Sequence, residues 1–344
     1  MNDRPAVLVT GGAGYIGSHC CRALKAAGYD PVVYDNFSTG HRGFVTGALV
    51  TGDLQDRARL AQAFAQYDIV AVMHFAASSL VGESVADPGK YYTNNLAGTL
   101  SLLDAMREAG CNRLVFSSTG AVYGNADSKA LREDFCCDPI NPYGASKWMI
   151  ERVLKDFRSA YGLGSFALRY FNASGADASG GIGELREPET HLIPRAMMAL
   201  QGHVSDFAVF GDDYDTPDGT AIRDYIHVSD LADAHVLAVR LLMQGHCGGV
   251  FNLGTGNGFS VREILAAIAA ETGRAVPHAI KPRRPGDPAY LVADATAARE
   301  TLRFRPQHSD LATIVRSAWA WHQKAHPVKA DEGLHVGADL SPAA

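Results

Sequence analysis

At 344 residues, 47% of them hydrophobic and 20% charged, the chain is long enough for one large domain or two closely joined ones around a real core. Its formal net charge of -6, with basic residues in small groups such as Arg283-Arg284, gives no electrostatic ground for nucleic acid or anionic membrane as a partner. No apolar run approaches the ~20 residues that span a bilayer, Met1-Asn2-Asp3-Arg4 leads straight into an apolar strand, and the cysteines include two adjacent pairs ill-suited to bridging, so a cytoplasmic protein with reduced thiols and no metal site is expected.

In chain order, Ala6–Thr10 reads as a buried strand and Ile16–Ala27 as a helix stopped by Gly28. Strands follow at Pro31–Tyr34 and Ala48–Thr51, then a helical stretch Asp56–Tyr67 and a strand Ile69–His74. Tyr91–Ala109 is expected as one helix ending at Gly110, and Arg113–Ser118 as the next strand. Pro142–Tyr161 is a long helix with Pro142 in its first turn, and Ser165–Arg169 closes the series. Such alternation predicts an α/β fold with a doubly wound parallel sheet. After Asn172 the chain turns Gly-rich and polar, with helices expected at Leu192–Gln201 and Val261–Thr272. The expected division is a first domain over 1–172, rejoined by about 224–242, a smaller α/β lobe over 173–223 and 243–326, and a flexible tail over 327–344.

The first strand runs into Gly11-Gly12-Ala13-Gly14-Tyr15-Ile16-Gly17, a GxxGxxG turn that opens a helix. Glycines there permit the tight turn and let backbone approach a pyrophosphate, whose charge the helix N-terminus receives. Asp35 ends the second strand eighteen positions beyond Gly17, where a carboxylate would bind ribose hydroxyls and repel a 2′-phosphate. The cofactor expected is therefore NAD; Arg42 nearby reads as a solvated loop residue. Asp53 and Leu54 after the third strand are placed against the adenine, and Phe75, Ala76 and Ala77 after the fourth along the inner cofactor face.

Tyr143 and Lys147 are four apart on one helix and share a face. A phenol titrates near ~10 in water, and a neighbouring ammonium would favour its phenolate. With the glycine turn and the strand end Ser117-Ser118-Thr119, this Tyr-x-x-x-Lys resembles the extended short-chain dehydrogenase/reductase family. TGGAGYIGSH, YDNFSTG, HFAA with VGES, NPYGASK, LRYFNASGA, DGTAIRDYIHVSDLADAH and FNLGTG occur in the order found in its UDP-galactose 4-epimerases, and the resemblance covers residue 5 to about 323.

That resemblance implies Tyr143, Lys147 and Thr119 as catalytic residues, Thr119 standing where Ser is commoner. It adds Tyr15, Ile16, Asn36, Ser79, Asn94, Ser117, Tyr170 and Phe171 to the cofactor site. Asn172, His191, Leu192, Phe210, Arg223, Val261, Arg284 and Asp287 are implied to meet the UDP portion, with arginines neutralising the pyrophosphate and Phe210 against uracil. Two departures stand out: His191 replaces a common Asn, and Ser79 replaces a Lys near the pyrophosphate. Counting from Arg284 to Asp287 puts Leu291 at the position that gates N-acetylated sugars, although a slip of one would put Tyr290 there.

The implied reaction inverts C4 of a UDP-hexose through a 4-keto sugar, interconverting UDP-glucose and UDP-galactose, with UDP-N-acetylhexosamines as further substrates if Leu291 faces the sugar. A UDP-xylose/UDP-arabinose 4-epimerase is one alternative. A nucleotide-sugar 4,6-dehydratase is disfavoured because Gly120-Ala121 replace its acid–base pair, and an inactive NAD sensor because Thr119, Tyr143 and Lys147 are all kept. The resemblance also implies a homodimer, for which Tyr91–Ala109 and Pro142–Tyr161 are candidate interface helices.

Overall fold

The computed structural model describes residues 4–126, 130–284 and 286–327; the expected tail beyond Pro327 lies outside them. The chain opens with β1 (Ala6–Thr10), α1 (Tyr15–Ala26), β2 (Asp30–Asp35), β3 (Ala48–Thr51), α2 (Arg57–Gln66) and β4 (Ile69–His74). Asp56 caps α2 by accepting from Arg59 N. Short helices α3 (Val81–Ala86) and α4 (Pro88–Tyr91) follow, then a π-helical turn Tyr92–Ala97, α5 (Gly98–Glu108), β5 (Arg113–Thr119) and a 3-10 turn Gly120–Tyr123. Next come α6 (Pro142–Tyr161), capped by Asn141 and ended by left-handed Gly162, then β6 (Gly164–Tyr170) and β7 (Asn172–Ser174). The remainder is α7 (Leu192–Leu200), β8 (Ala208–Phe210), β9 (Ile222–His227), α8 (Val228–Met243), β10 (Gly248–Leu253), β11 (Gly258–Ser260), α9 (Val261–Thr272), β12 (Ala279–Lys281), β13 (Tyr290–Leu291), α10 (Thr296–Thr301) and α11 (Leu311–Ala325).

Seven parallel strands form the main sheet in the order β10-β6-β5-β4-β1-β2-β3. Val7 and Val9 pack into one apolar layer with α1 and α8, Leu8 into the other with α2, α5 and α6. Burial on both faces is why these strands read as continuous apolar runs. The order reverses between β1 and β4, and this switch point opens a crevice beyond the carboxyl ends of the strands. A second core of Ile193, Met197, Phe207, Ile264, Ile268 and Ile314 lies under the small sheet β11-β9-β13, to which β7 adds through β9.

The helix expected over Tyr91–Ala109 is present, its backbone helical without interruption through Glu108, but it widens to a π turn at Tyr92–Ala97, where Asn95 turns its amide out to Ser78 N, Ser78 O and Ser146 Oγ (2.8, 3.1 and 3.1 Å). Two expectations are corrected. β10, placed with the second lobe from sequence, is the seventh strand of the main sheet, its Phe251 and Leu253 filling the first core. Within the segment expected to return to the first domain, α8 packs on α1, but β9 belongs to the small sheet.

Candidate active site

The glycine turn is built by close packing. Gly11, at φ +73°, donates to Tyr34 O at 2.9 Å, and a Cβ on Gly17 would stand 2.2 Å from Gly11 O. Helix α1 therefore starts hard against the turn, with Gly14 as its N-cap, no side chain capping it and no acidic residue in its first turn. An uncapped N-terminus at the switch point is a ready site for a diphosphate. Asp35 ties the turn to β2: Ala13 N donates to Oδ2 at 2.9 Å and Phe37 N to Oδ1 at 2.8 Å, leaving each oxygen a lone pair for a ribose hydroxyl. Asn36 Nδ2 donates to Asp53 Oδ2 at 2.8 Å, joining the next two expected residues. Leu54 is different. Its side chain is buried in the core against Gly98, so only its backbone can face an adenine.

Phe75 and Ala76 both donate their amides to Thr10 O, and the Phe75 ring packs on His235 at 4.9 Å. Ala77 and Ser79 continue this wall. Asn94 reaches Ser78 Oγ at 3.3 Å. These groups, with Tyr15 and Ile16 at the head of α1, border one crevice, and the residues present fit a dinucleotide along it.

β5 delivers Thr119 to the same end of the sheet, and the first turn of α6 delivers Tyr143. Burial raises the Tyr143 pKa, which the neighbouring Thr119 hydroxyl and the charge of Arg186 oppose. Thr119 Oγ1 accepts from Ala121 N at 3.1 Å, so its own proton is free to donate outward. Ser117 and Tyr170 share a short bond beneath, and Phe171 stacks on Tyr123 at 6.4 Å.

Lys147 lies one turn beyond Tyr143 along the same helix. Its Nζ donates to Ser117 O at 2.9 Å and lies 4.9 Å from the Phe116 ring centroid, and burial brings its pKa down to about 7. Arg186, which the sequence did not single out, lies on the loop before α7. Arg186 Nε donates to Glu184 at 2.9 Å and Nη1 to Ser79 Oγ at 3.2 Å.

On the second-lobe side, Asn172 Nδ2 donates to Asp224 O at 3.0 Å, and Leu192 and Val261 open α7 and α9. Arg223 on β9 bonds Asp287 and donates to Pro288 O at 2.9 Å, so two residues assigned separately to the UDP portion are partners. Arg284 lies 4.1 Å over the Phe210 ring and covers one of its faces. Leu291 packs with Val122, Tyr123 and Phe171, the cluster that also abuts the catalytic strand end. His191 Nδ1 is 2.8 Å from Glu189 Oε1; burial pulls its pKa down, but Glu184 and Glu189 outweigh this and hold it above its usual value. Ligand atoms of Glu184, Glu189 and His191 lie within 4.8 Å of one another, a cluster no sequence spacing announced, but the Arg186 guanidinium already pairs with it.

A phosphate-ready helix end on one side of a switch-point crevice and a phenol–hydroxyl pair on the other define a dinucleotide-dependent enzyme of the short-chain dehydrogenase/reductase class. The chain belongs to the NAD dependent epimerase/dehydratase family, whose model matches residues 7–254. It is 53% identical over 319 residues to a UDP-glucose 4-epimerase of Rhizobium meliloti, covering 92% of this chain and 97% of the relative. Among solved structures, UDP-glucose 4-epimerase from Brucella ovis in complex with NAD superposes with a TM-score of 0.90 at 55% identity, covering 92% of this chain and 97% of that one. The Bifidobacterium longum enzyme in complex with NAD+ and UDP gives 0.87 at 38% identity, covering 93% and 98%.

Proposed function

We propose that the protein interconverts UDP-glucose and UDP-galactose by inverting C4 through a 4-keto sugar, with NAD as its retained cofactor. The observation that carries this reading is that Thr119 at the end of β5 and Tyr143 in the first turn of α6 come to one end of the crevice, next to a glycine that admits no side chain. A Cβ on Gly120 would stand 2.6 Å from the Phe171 ring, so the carboxylate a 4,6-dehydratase uses beside its threonine has no room. When bound, NAD supplies reversible oxidation at C4.

The chain's own residues do the rest. Thr119 donates to the sugar O4 and Tyr143 Oη takes the O4 proton, returning it after the sugar has presented its other face. Lys147, held on Ser117 O, is positioned to bond the nicotinamide ribose. Asp35 bonds the adenosine ribose and selects NAD, with the helix α1 N-terminus at the diphosphate. Asn172, Arg223, Arg284, Phe210, His191 and Asp287 hold UDP while the hexose turns. Leu291, which packs in one cluster with Phe171, is the residue assigned to the C2 side of the sugar, where a side chain smaller than an aromatic would admit UDP-N-acetylhexosamines as well.

A homodimer is the proposed assembly: Leu100 on α5 and Trp148 and Met149 on α6 are large apolar side chains left exposed on the two helices expected at the interface. All six cysteines are free and no helix among the described residues is long and apolar enough to cross a membrane, which supports placement in the cytoplasm. The test is conversion of UDP-galactose by purified protein without added NAD. Tyr143→Phe should lower turnover by ~10² or more while keeping the bound dinucleotide; near-wild-type turnover refutes the assignment.

A further inference from the structure

The end of α11 gathers polar groups that the reaction does not use. His322 lies in its last turn and His326, four residues on, is its C-cap, so the two share a face. Their ring centroids are 5.3 Å apart, with planes at 25°. The ring of His203, just past the end of α7, stands 5.8 Å from that of His326. Gln201, the C-cap of α7, ties the two helix ends together: its Nε2 donates to His322 O at 3.1 Å and also to His326 O.

Two buried atoms in this cluster have no hydrogen-bond partner among the described residues, His322 Nδ1 and Gln201 Oε1. Both residues are only 2% exposed, and buried polar atoms are rarely left in that state. The described residues offer the His326 ring no hydrogen bond either, and His203 uses only Nε2, 3.0 Å from Pro327 O. Burial holds the His322 pKa down at about 4, with His326 and His203 adding to the effect and Glu189 opposing it; burial also lowers that of His326. Both rings are therefore neutral at pH 7, the form that ligates a metal.

We propose that His322, His326 and His203 form a binding site for a divalent transition metal of the zinc class, with Gln201 Oε1 accepting from the water that completes its coordination. Imidazoles bound through nitrogens about 2.0–2.1 Å from a four-coordinate ion have ring centroids about 5 Å apart, close to the spacings here. Turning the His203 ring off Pro327 O completes the set. The carboxylate cluster of Glu184, Glu189 and His191 is a poorer home for a cation, because Arg186 already pairs with it. The sequence had led us to expect no metal site. The ion would clip α11 to the end of α7, and Trp321, beside His322, holds the Glu184 carbonyl at 2.8 Å. The clip would thus also steady the segment that carries Arg186 to Ser79. The site stands apart from the epimerase reading and does not depend on it.

The test is a zinc titration of the full-length protein against a chromophoric chelator, with the free cysteines alkylated beforehand so that thiols do not compete. One equivalent per chain should bind. His326→Ala and His203→Ala, both at half-exposed positions that the core does not need, should each weaken binding about tenfold or more. His191→Asn, which alters the other cluster, should leave it unchanged. Zinc should also raise the urea midpoint of the wild type and leave that of His326→Ala where it was. Wild-type binding no tighter than that of His326→Ala overturns the proposal, and so does a loss of binding in His191→Asn, which would move the ion to the carboxylate cluster.

Discussion

Replacing Glu151 with Ala should destabilise the protein more than any surface substitution, because it strands a buried cation under the catalytic strand. Glu151 lies on α6 four residues beyond Lys147, and its carboxylate receives Arg169 Nε at 2.9 Å, Arg169 Nη2 at 2.5 Å and Ser118 Oγ at 2.5 Å. The Arg169 and Glu151 side chains are 5% and 6% exposed, so water cannot take over. Without the carboxylate, the guanidinium keeps only Tyr123 Oη at 2.9 Å and the Cys137 sulfur at 3.2 Å. An uncompensated buried charge costs about 3–5 kcal/mol, and the orphaned Ser118 hydroxyl adds on the order of 1 kcal/mol. Domains of this kind hold only about 5–15 kcal/mol in total. Urea unfolding with NAD in fixed excess measures the loss. Glu151→Gln, which keeps an acceptor oxygen, should lose less, and Glu151→Met combined with Arg169→Met should lose less than Glu151→Ala alone. A loss under about 1 kcal/mol for Glu151→Ala, or strict additivity in the double variant, would refute the reasoning.

Extraction and mass analysis of the purified protein should find NAD(H), and Asp35→Ala should narrow the preference over NADP; mainly NADP in the wild type contradicts the role of Asp35. Leu291→Tyr should lower catalytic efficiency on UDP-N-acetylglucosamine far more than on UDP-glucose, and equal losses would remove Leu291 from the sugar pocket. His191 is held above its usual pKa by Glu184 and Glu189, so its contribution is complete below about pH 6.5 and is lost as pH rises through the native value. The stability advantage of wild type over His191→Asn should therefore shrink between about pH 6 and pH 8, and a constant or growing advantage sinks this account.

What the sequence made legible follows from the physics of each element. β1 and β4 match residue for residue because strands buried on both faces are plain apolar runs, the exposed edge strand β3 matches as well, and α6 does because Pro142 and Gly162 punctuate it. The π turn at Tyr92–Ala97, inside the helix expected over Tyr91–Ala109, was not legible: its partners are tertiary, Asn95 reaching across to Ser78 and Ser146. β10 was misplaced because its sheet partner, β6, lies some eighty residues back, and pairing at that range leaves no local trace. The glycine turn, Asp35 and the Tyr143–Lys147 spacing were readable because their chemistry sets their spacing. Arg186 was not, since only the fold brings a loop arginine to Ser79.

The segment 183–191 also fixes an order of events during synthesis. Six strands of the main sheet, through Tyr170, are made before it emerges, and domains fold from the N-terminus as they appear. On emerging it can already meet His41 through Leu185 O and Ser79 through Arg186. Glu184, however, waits for Trp321, 137 positions later, to take its carbonyl at 2.8 Å. Among the described residues, the last helix to leave the tunnel thus supplies the second anchor, and a chain stopped short of it would bear every residue of the catalytic cluster with this segment held from one side only.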